Sequence, residues 1–446
     1  MSKDRFSRRE FLGVGAAAAG ASLVGTPFLP LPRPAPQSRT VPPSDRVRFG
    51  IVGVGMQGSS LLAESIRLDG VECAAACDLY DGRHALAREI TGAAIPVTRR
   101  YQELLEDDDI DCIIVATPDH WHRKLVVDAL SAGKDVYCEK PMSHDPSDGV
   151  AMVDAAKRSG RIVQVGSQRV SSRICAKARE MIAQGTLGDM MMVEAWWGRN
   201  DPTGAWQYPP PPDLSPRTLD WETWQGDVPK RPFDANIFAR WRAYRAYGTG
   251  VAGDLLVHLI SGMMFMLDAN QPPTTATSVG GIRRWKDGRD MPDVHAVLFQ
   301  YGDLPVYMRL NLGTDMPETY RFQGSKGILE VTGTSITFSP QSGKDEYPSY
   351  YAYSFPQPLR DEYFAKWHAE NDARLRRAPL PESTTVRGPE FNDLVPHLTN
   401  FFEAVRTRGR VVEDAVFGHN AAMASHMANE SYFTRQVVRA SGAKPG

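Results

Sequence analysis

Three short segments of this 446-residue chain carry residues whose types and spacing suit chemistry. Lys140 sits in Cys138-Glu139-Lys140-Pro141, Asp254 and His258 lie four residues apart in Gly253-Asp254-Leu255-Leu256-Val257-His258, and Gly53, Gly55 and Gly58 are spaced Gly-x-Gly-x-x-Gly. An imidazole can take and return a hydroxyl proton near neutral pH. Spacing of i, i+4 puts Asp254 and His258 on one helix face, where the carboxylate can orient or charge-stabilise the ring or bind a substrate hydroxyl. A lysine at a sheet edge stabilises charge developing on an alkoxide. We therefore expect His258 as acid–base, Lys140 as electrostatic partner and proton relay, and Asp254 as substrate anchor. Taken singly, the same residues also read as a core histidine and a helix cap.

The glycines answer a different need. They allow a tight turn, let the backbone approach a pyrophosphate, and let a helix pack closely on its strand. Val47 to Val54 reads as that strand and Ser60 to Leu68 as that helix, whose N-terminus offers free N–H groups to phosphates. The next strand, Val71 to Cys77, ends at Asp78. A carboxylate there accepts hydrogen bonds from a ribose 2′-hydroxyl and repels a 2′-phosphate, which favours NAD over NADP, although Arg83 pulls the other way. Gly53, Gly55, Met56, Gln57, Gly58 and Asp78 are thus expected at a dinucleotide, with an ordinary tight turn as the alternative. Thr117, Pro118 and His122 leave a third strand, Ile110 to Ala116, and Glu139 and Lys140 leave a fourth, Asp135 to Cys138. Both exits face the crevice where open α/β sheets bind ligands. His122 reads equally as a cap of the helix that follows it.

These residues require elements that place them. Helical stretches at Gly82 to Ile90, His122 to Ala132 and Asp148 to Ser159 separate the strands, up to Ile162 to Val165, and imply an α/β domain with a doubly wound parallel sheet. Past Gly166 the pattern changes. Helical pieces near Ser172 to Gln184 and Ala252 to Leu267 bracket a Trp- and Pro-rich stretch from Trp196 to Tyr247. Alternating runs follow at Ala276 to Trp285, Val294 to Tyr301, Leu304 to Leu312, Tyr320 to Gly324, Ile328 to Thr332 and Ser335 to Ser339, predicting an α+β domain with an open, mainly antiparallel sheet. The expected organisation is a leader over 1–36, a linker over 37–46, the nucleotide-binding domain over 47–166, a substrate and oligomerisation domain over 167–389, and helices over 390–446 that pack back on the first domain.

Taken together, the glycine fingerprint, the Thr117-Pro118 segment, Glu139-Lys140-Pro141 and Gly253-Asp254-Leu255-Leu256-Val257-His258 resemble the glucose–fructose oxidoreductase, inositol dehydrogenase and rhizopine-catabolism family (Gfo/Idh/MocA) over nearly the whole chain beyond the leader. The resemblance implies a Rossmann domain, an NAD(P)-dependent oxidoreductase and Lys140 as the active-site lysine. The chain departs from the family motif at Leu256, where a glycine is usual, and at Ser261, where an acid is usual. Gln168 and Arg169 fall where family members contact cofactor or substrate, and solvated surface is the alternative. Trp221, Trp224 and Trp241, with Arg245, form either an aromatic wall for a sugar or the packing of a long loop.

Composition narrows the remaining possibilities. A 42% hydrophobic and 23% charged chain with net charge −2 is an ordinary globular protein with no basic field for nucleic acid. Five cysteines show no disulfide framework and no metal-ligand spacing; Cys73 and Cys77, four residues apart on a strand, are about 13 Å apart. Ser7-Arg8-Arg9-Glu10-Phe11-Leu12 before an Ala- and Gly-rich, proline-ended stretch reads as a twin-arginine leader, so we expect the Tat export machinery as a partner, a periplasmic or secreted location and no stable membrane span. Seven prolines between Pro27 and Pro43 make a stiff linker. Outside the cytoplasm there is no NAD pool, so a retained cofactor must return to its starting state in each cycle. That suits oxidoreduction between two sugars, or a redox-neutral glycoside hydrolase or lyase, a class found in the same superfamily. A sugar- or nucleotide-binding protein without catalysis is the third reading. The open sheet suits a homodimer or tetramer.

Overall fold

The computed structural model describes residues 42, 45–341, 347–377, 382–388 and 393–440; the expected leader and most of the proline-rich linker lie outside them. The first half is built from β1 (Val47–Val52), α1 (Met56–Ser65), β2 (Val71–Cys77), α2 (Asp81–Thr91), β3 (Val97–Thr98), α3 (Tyr101–Glu106), β4 (Cys112–Val115), α4 (His122–Ser131), β5 (Asp135–Cys138), α5 (Pro146–Ser159) and β6 (Val163–Val165). The strands form a parallel sheet in the order β3-β2-β1-β4-β5-β6. β4 and β5 are buried along their whole length, the mark of strands covered on both faces. The order reverses between β1 and β4, which opens a crevice beyond their carboxyl ends. α5 shows how local chemistry sets the boundaries. The Asp145 carboxylate caps it by accepting from the Ser147 N–H, Pro146 fills its first turn, and Gly160 ends it at φ 64°. α1 begins four residues before the expected Ser60, because Met56–Gly58 forms a first turn without apolar periodicity.

The second half continues with α6 (Arg173–Ala183), β7 (Met190–Gly198), α7 (Trp221–Trp224), α8 (Ala235–Ala239), a π-helical turn (Ala252–Leu256), α9 (Val257–Met266) and β8 (Thr275–Gly281). Then come β9 (Val294–Tyr301), β10 (Leu304–Asn311), β11 (Met316–Gly324), β12 (Gly327–Thr332), β13 (Ser335–Pro340), α10 (Gln357–Arg377), β14 (Thr384–Arg387), α11 (Leu394–Thr407), α12 (Ala415–Thr434) and β15 (Val438–Arg439). The nine-stranded sheet runs β14-β13-β12-β11-β7-β10-β9-β8-β15 and is antiparallel except between β7 and β10. β7, at its centre, falls in a stretch where the sequence pattern predicts no strand. Its inward Val193, Ala195 and Trp197 alternate properly, but the run dissolves into the Trp-rich segment and loses its boundary. α10 is equally hard to read, because its few apolar residues, the buried Trp367 among them, are scattered through a highly charged run.

Two packing features join the halves. α12 is a thin wall: Ala421, Ala424 and Ala428 belong to the core under the nine-stranded sheet, and Ala415 and Ala422 to the core of the parallel sheet. A Cβ on Gly418 would lie 2.4 Å from Val165 Cγ2, so the helix rests directly on β6. The segment between β7 and the π-helical turn crosses back over the crevice. Its Leu219 bridges to Tyr80, Asp81 N–H donates to Thr218 O at 2.9 Å, and Thr249 donates twice to the buried Asp119 carboxylate at 3.0 and 2.7 Å. Trp221 and Trp224 stack there at 4.8 Å over a small core with Tyr80, Phe238 and Tyr247.

All five cysteines are free. Several histidines outside the motifs are buried, His295, His397 and His426 among them. His397 is fully buried, with Nε2 at 2.9 Å from Val165 O and Nδ1 at 2.8 Å from Ser171 Oγ. Burial pushes its pKa down to about 4. The folded chain therefore keeps this ring neutral while the unfolded chain protonates it below 6.5, so its contribution is whole above that pH and drains away as pH falls toward 4. The urea-measured stability difference between the parent and His397→Gln should be constant above pH 7. Below pH 6.5 it should shrink by up to about 1.4 kcal/mol per pH unit. A difference that stays level down to pH 4.5 would exclude a neutral buried ring.

Candidate active site

A cavity of about 950 Å³ runs along the crevice from the glycine turn to the π-helical turn, under the crossing segment. That is ample for a dinucleotide and a small molecule beside it. At one end the glycines meet their geometric demands. Gly53 has φ 91°, and a Cβ there would lie 2.6 Å from Ala116 O; a Cβ on Gly58 would lie 2.0 Å from Gly53 O. No side chain caps α1 and no acid occupies its first turn, so its N–H groups remain for an anion. Thr117 Oγ1 is buried in the lining without a partner. Asp78 ends β2 with Oδ2 accepting from Val54 N–H at 2.8 Å and Oδ1 from Tyr80 N–H at 3.0 Å. Arg83 Nη1 stands 3.4 Å from the same carboxylate. These residues would fit a dinucleotide, whose ribose 2′ substituent would meet the Asp78 carboxylate and the Arg83 guanidinium.

At the other end one carboxylate collects three donors. Asp254 Oδ1 accepts from Lys140 Nζ at 2.8 Å and from Arg242 Nε at 3.1 Å, and Oδ2 accepts from Trp206 Nε1 at 3.0 Å. The Asp254 backbone carbonyl takes a further bond from Lys140 Nζ at 2.9 Å. Burial works against the Asp254 charge, yet Lys140, Arg242 and Arg199 outweigh it and hold the carboxyl well below the usual range. The local backbone is shaped for this contact. The π-helical turn carries Asp254, and a Cβ on Gly253 would lie 2.9 Å from Pro141 Cγ and 1.7 Å from Thr249 Oγ1. Trp206, fully buried, adopts φ 63°, a left-handed conformation that costs a bulky residue about 1–3 kcal/mol.

His258 lies in the same lining, edge-on to Trp197 at 6.1 Å, with Nδ1 buried and unpartnered. Burial first, and then the charges of Lys140 and Arg169, keep its pKa well below the ordinary value, so the ring is neutral at pH 7. Glu139 is buried beside Lys140; it accepts from Gln57 and Gln168 at 3.0 and 3.1 Å and from Lys140 N–H at 3.2 Å. Burial raises its pKa despite those partners.

Four expectations from sequence meet a different arrangement. His122 does not reach the cavity: it is fully buried and spans Thr117 O at 3.0 Å and Pro141 O at 2.8 Å, tying two loops together. Arg169 turns away to a buried trio with Glu318 and Asp393 at 2.7 and 2.9 Å. Arg245 is exposed and lies over Phe433 at 4.3 Å. Asp254 makes no hydrogen bond to His258, because its oxygens are already committed to Lys140, Arg242 and Trp206. Gly53, Gly55, Met56, Gln57, Asp78, Thr117, Pro118, Glu139, Gln168 and Trp241 all line the cavity, and Gly58 lies just behind the turn. Sequence reasoning missed Arg199, Trp206 and Arg242, which come from the Trp-rich segment where no period marks them.

Residues 47–167 match the Gfo/Idh/MocA family profile, described as an oxidoreductase family with an NAD-binding Rossmann fold. A "Glycosyl hydrolase family 109 protein" of Shewanella pealeana is 29% identical over 208 residues, 43% of this chain and 46% of that protein. An "Inositol 2-dehydrogenase" of Salmonella typhimurium is 32% identical over 149 residues, 33% of this chain and 44% of that protein. These alignments cover less than half of the relatives' length. In structure, a levoglucosan dehydrogenase in complex with NADH and levoglucosan superposes with a TM-score of 0.62 at 18% identity, over 88% of this chain and 99% of that one. That likeness speaks for the two-domain fold.

Replacing Asp254 by Asn would keep the shape of the carboxylate and leave Lys140 and Arg242 facing each other uncompensated. Breaking a buried pair from one side typically costs about 3–5 kcal/mol. We expect Asp254→Asn to lose stability of that order in urea unfolding, and a variant as stable as its parent would remove Asp254 from the centre of the cluster.

Proposed function

We propose, from the match of residues 47–167 to the Gfo/Idh/MocA oxidoreductase family, that this chain is an NAD-dependent oxidoreductase acting on a secondary hydroxyl of a sugar or cyclitol. The observation that carries the proposal is the meeting of Lys140 and His258 in one cavity with an uncapped, glycine-turned helix end. Gly53, Gly55 and the α1 N-terminus would hold the pyrophosphate, Thr117 would offer its hydroxyl, and Asp78 would receive the ribose hydroxyls, favouring NAD over NADP. When bound, the nicotinamide supplies a hydride acceptor and donor. His258, neutral at pH 7, receives the hydroxyl proton on a ring nitrogen. Lys140 faces the substrate oxygen and stabilises the charge that grows on it. Asp254, expected from sequence to anchor substrate, instead acts as a positioning residue that fixes the ammonium.

The crossing segment supports a second, narrower reading. Arg99 donates to Arg217 O at 3.1 Å on one rim, and Trp121 Nε1 donates to Trp224 O at 2.9 Å on the other. A dinucleotide beneath such a cover exchanges slowly, which favours a retained cofactor. Retention is what a redox-neutral glycoside hydrolase using this site requires, and what an exported enzyme would need.

The two readings separate in one experiment on protein purified natively. Mass spectrometry of the released ligand should find a nicotinamide dinucleotide. Sugars and cyclitols, without added cofactor, should change the bound nicotinamide absorbance, and Lys140→Met should slow that change by about 10²–10⁴-fold. Release of aglycone from aryl glycosides with no net absorbance change selects the hydrolase. A protein that neither carries nor binds NAD or NADP overturns both.

A further inference from the structure

Seven cationic side chains line the cavity, and six of them have an acidic partner within 4.0 Å: Arg83 with Asp78, Arg99 with Asp81, Arg100 with Glu103, Lys124 with Asp128, and Lys140 and Arg242 with Asp254. The seventh, Arg199, has no ion pair and no side-chain hydrogen bond among the described residues, and its Nε is buried without a partner. It follows β7 and is held from below, with the guanidinium 4.5 Å over the Trp197 ring and its backbone N–H bonded to Asn311 O at 2.9 Å. Neighbouring acids are spoken for. Asp201 accepts from Gly204 N–H at 2.7 Å, and Glu318 is engaged by Arg169 and Tyr320.

An unpaired guanidinium in a cavity wall is costly, because the wall removes much of its water and no carboxylate stands within ion-pair distance to replace it. Burial accordingly lowers the Arg199 pKa, with Asp254 only partly offsetting it. The cost is recovered if the missing anion arrives with the ligand. The dinucleotide phosphates do not supply it, since their expected seat is the α1 N-terminus on the other domain. Arg199 acts at the reacting end: its charge is felt by both Asp254 and His258.

We propose that Arg199 is a substrate-specificity residue, and that the substrate is an acidic sugar whose carboxylate docks on this guanidinium. A carboxylate suits the planar fork best, because two parallel N–H···O bonds form with no rearrangement of a side chain already stacked on an indole. The proposal rests on the sugar-oxidoreductase reading above and sharpens it to hexuronic acids or their glycosides. Hexose phosphates and sulfates present an oxyanion of different shape and are separate arms of the test.

The test uses the natively purified holoprotein and calorimetry, so binding is read independently of turnover. Matched pairs are titrated in the gluco, galacto and manno series: each methyl hexuronoside against its neutral methyl hexoside, and each hexose 6-phosphate and 6-sulfate beside them. At least one hexuronoside should bind about 10–100-fold more tightly than its neutral partner. That ratio should collapse toward one in Arg199→Gln and be partly restored in Arg199→Lys, with thermal unfolding of each variant confirming the fold. Equal affinity within every pair, no hexuronoside binding, or tighter binding of the phosphate or sulfate arm each overturns the carboxylate assignment. Failure of the oxidoreductase reading is seen separately, as absence of any change in nicotinamide absorbance when a ligand binds.

Discussion

The structure is organised around a single buried carboxylate that has to satisfy two cations from different parts of the chain. Asp254 takes Lys140 from the end of β5 and Arg242 from the segment that crosses the crevice. Neither cation tolerates burial without it, and the carboxylate tolerates burial only because both are present. Several local irregularities follow from this demand. The helix opens into a π turn where Asp254 sits, Gly253 gives up a side chain so that the turn can press against Pro141, and Trp206 accepts a left-handed backbone to place its N–H. Strain of this kind persists only where its surroundings over-determine it, and here the surroundings are charges.

The outline of the fold was legible because the parallel sheet leaves strong traces. Strands buried on both faces read as unbroken apolar runs, and the glycine spacing carried its own context of strand before and acid after. The catalytic candidates were legible as Lys140, Asp254 and His258, since each lies in a short motif with a chemical rationale. Their mutual arrangement was not. The i, i+4 spacing suggested a carboxylate serving the imidazole, but a charge 2.8 Å away on a distant strand end outcompetes a neutral ring on the next turn. Arg199 and Arg242 gave no signal, because an arginine in an aperiodic segment looks like solvated surface until the fold closes over it. His122 and Arg169 show the reverse error: polar residues near a crevice that serve as internal ties.

The division of charge along the cavity gives its two ends distinct characters. Near the glycine turn the available donors are backbone N–H groups at an uncapped helix end, a kind of site that reads phosphate without distinguishing what it is attached to. Near the π turn they are side chains whose positions are fixed by stacking and pairing, which is where discrimination between ligands belongs. The crossing segment contributes Arg242 to one end and its covering hydrogen bonds to the other, so the same stretch of chain shapes both ends of the cavity.

The alanine-lined helix α12 has a consequence for how the halves behave mechanically. Its opposite faces are shared by two cores separated by little more than a methyl group on each side. With small side chains facing both cores, a rotation of one lobe against the other would have to repack both at once. The two lobes are thus tied along one shared helix, while the cover over the interior is the Trp-rich crossing segment with its rim bonds.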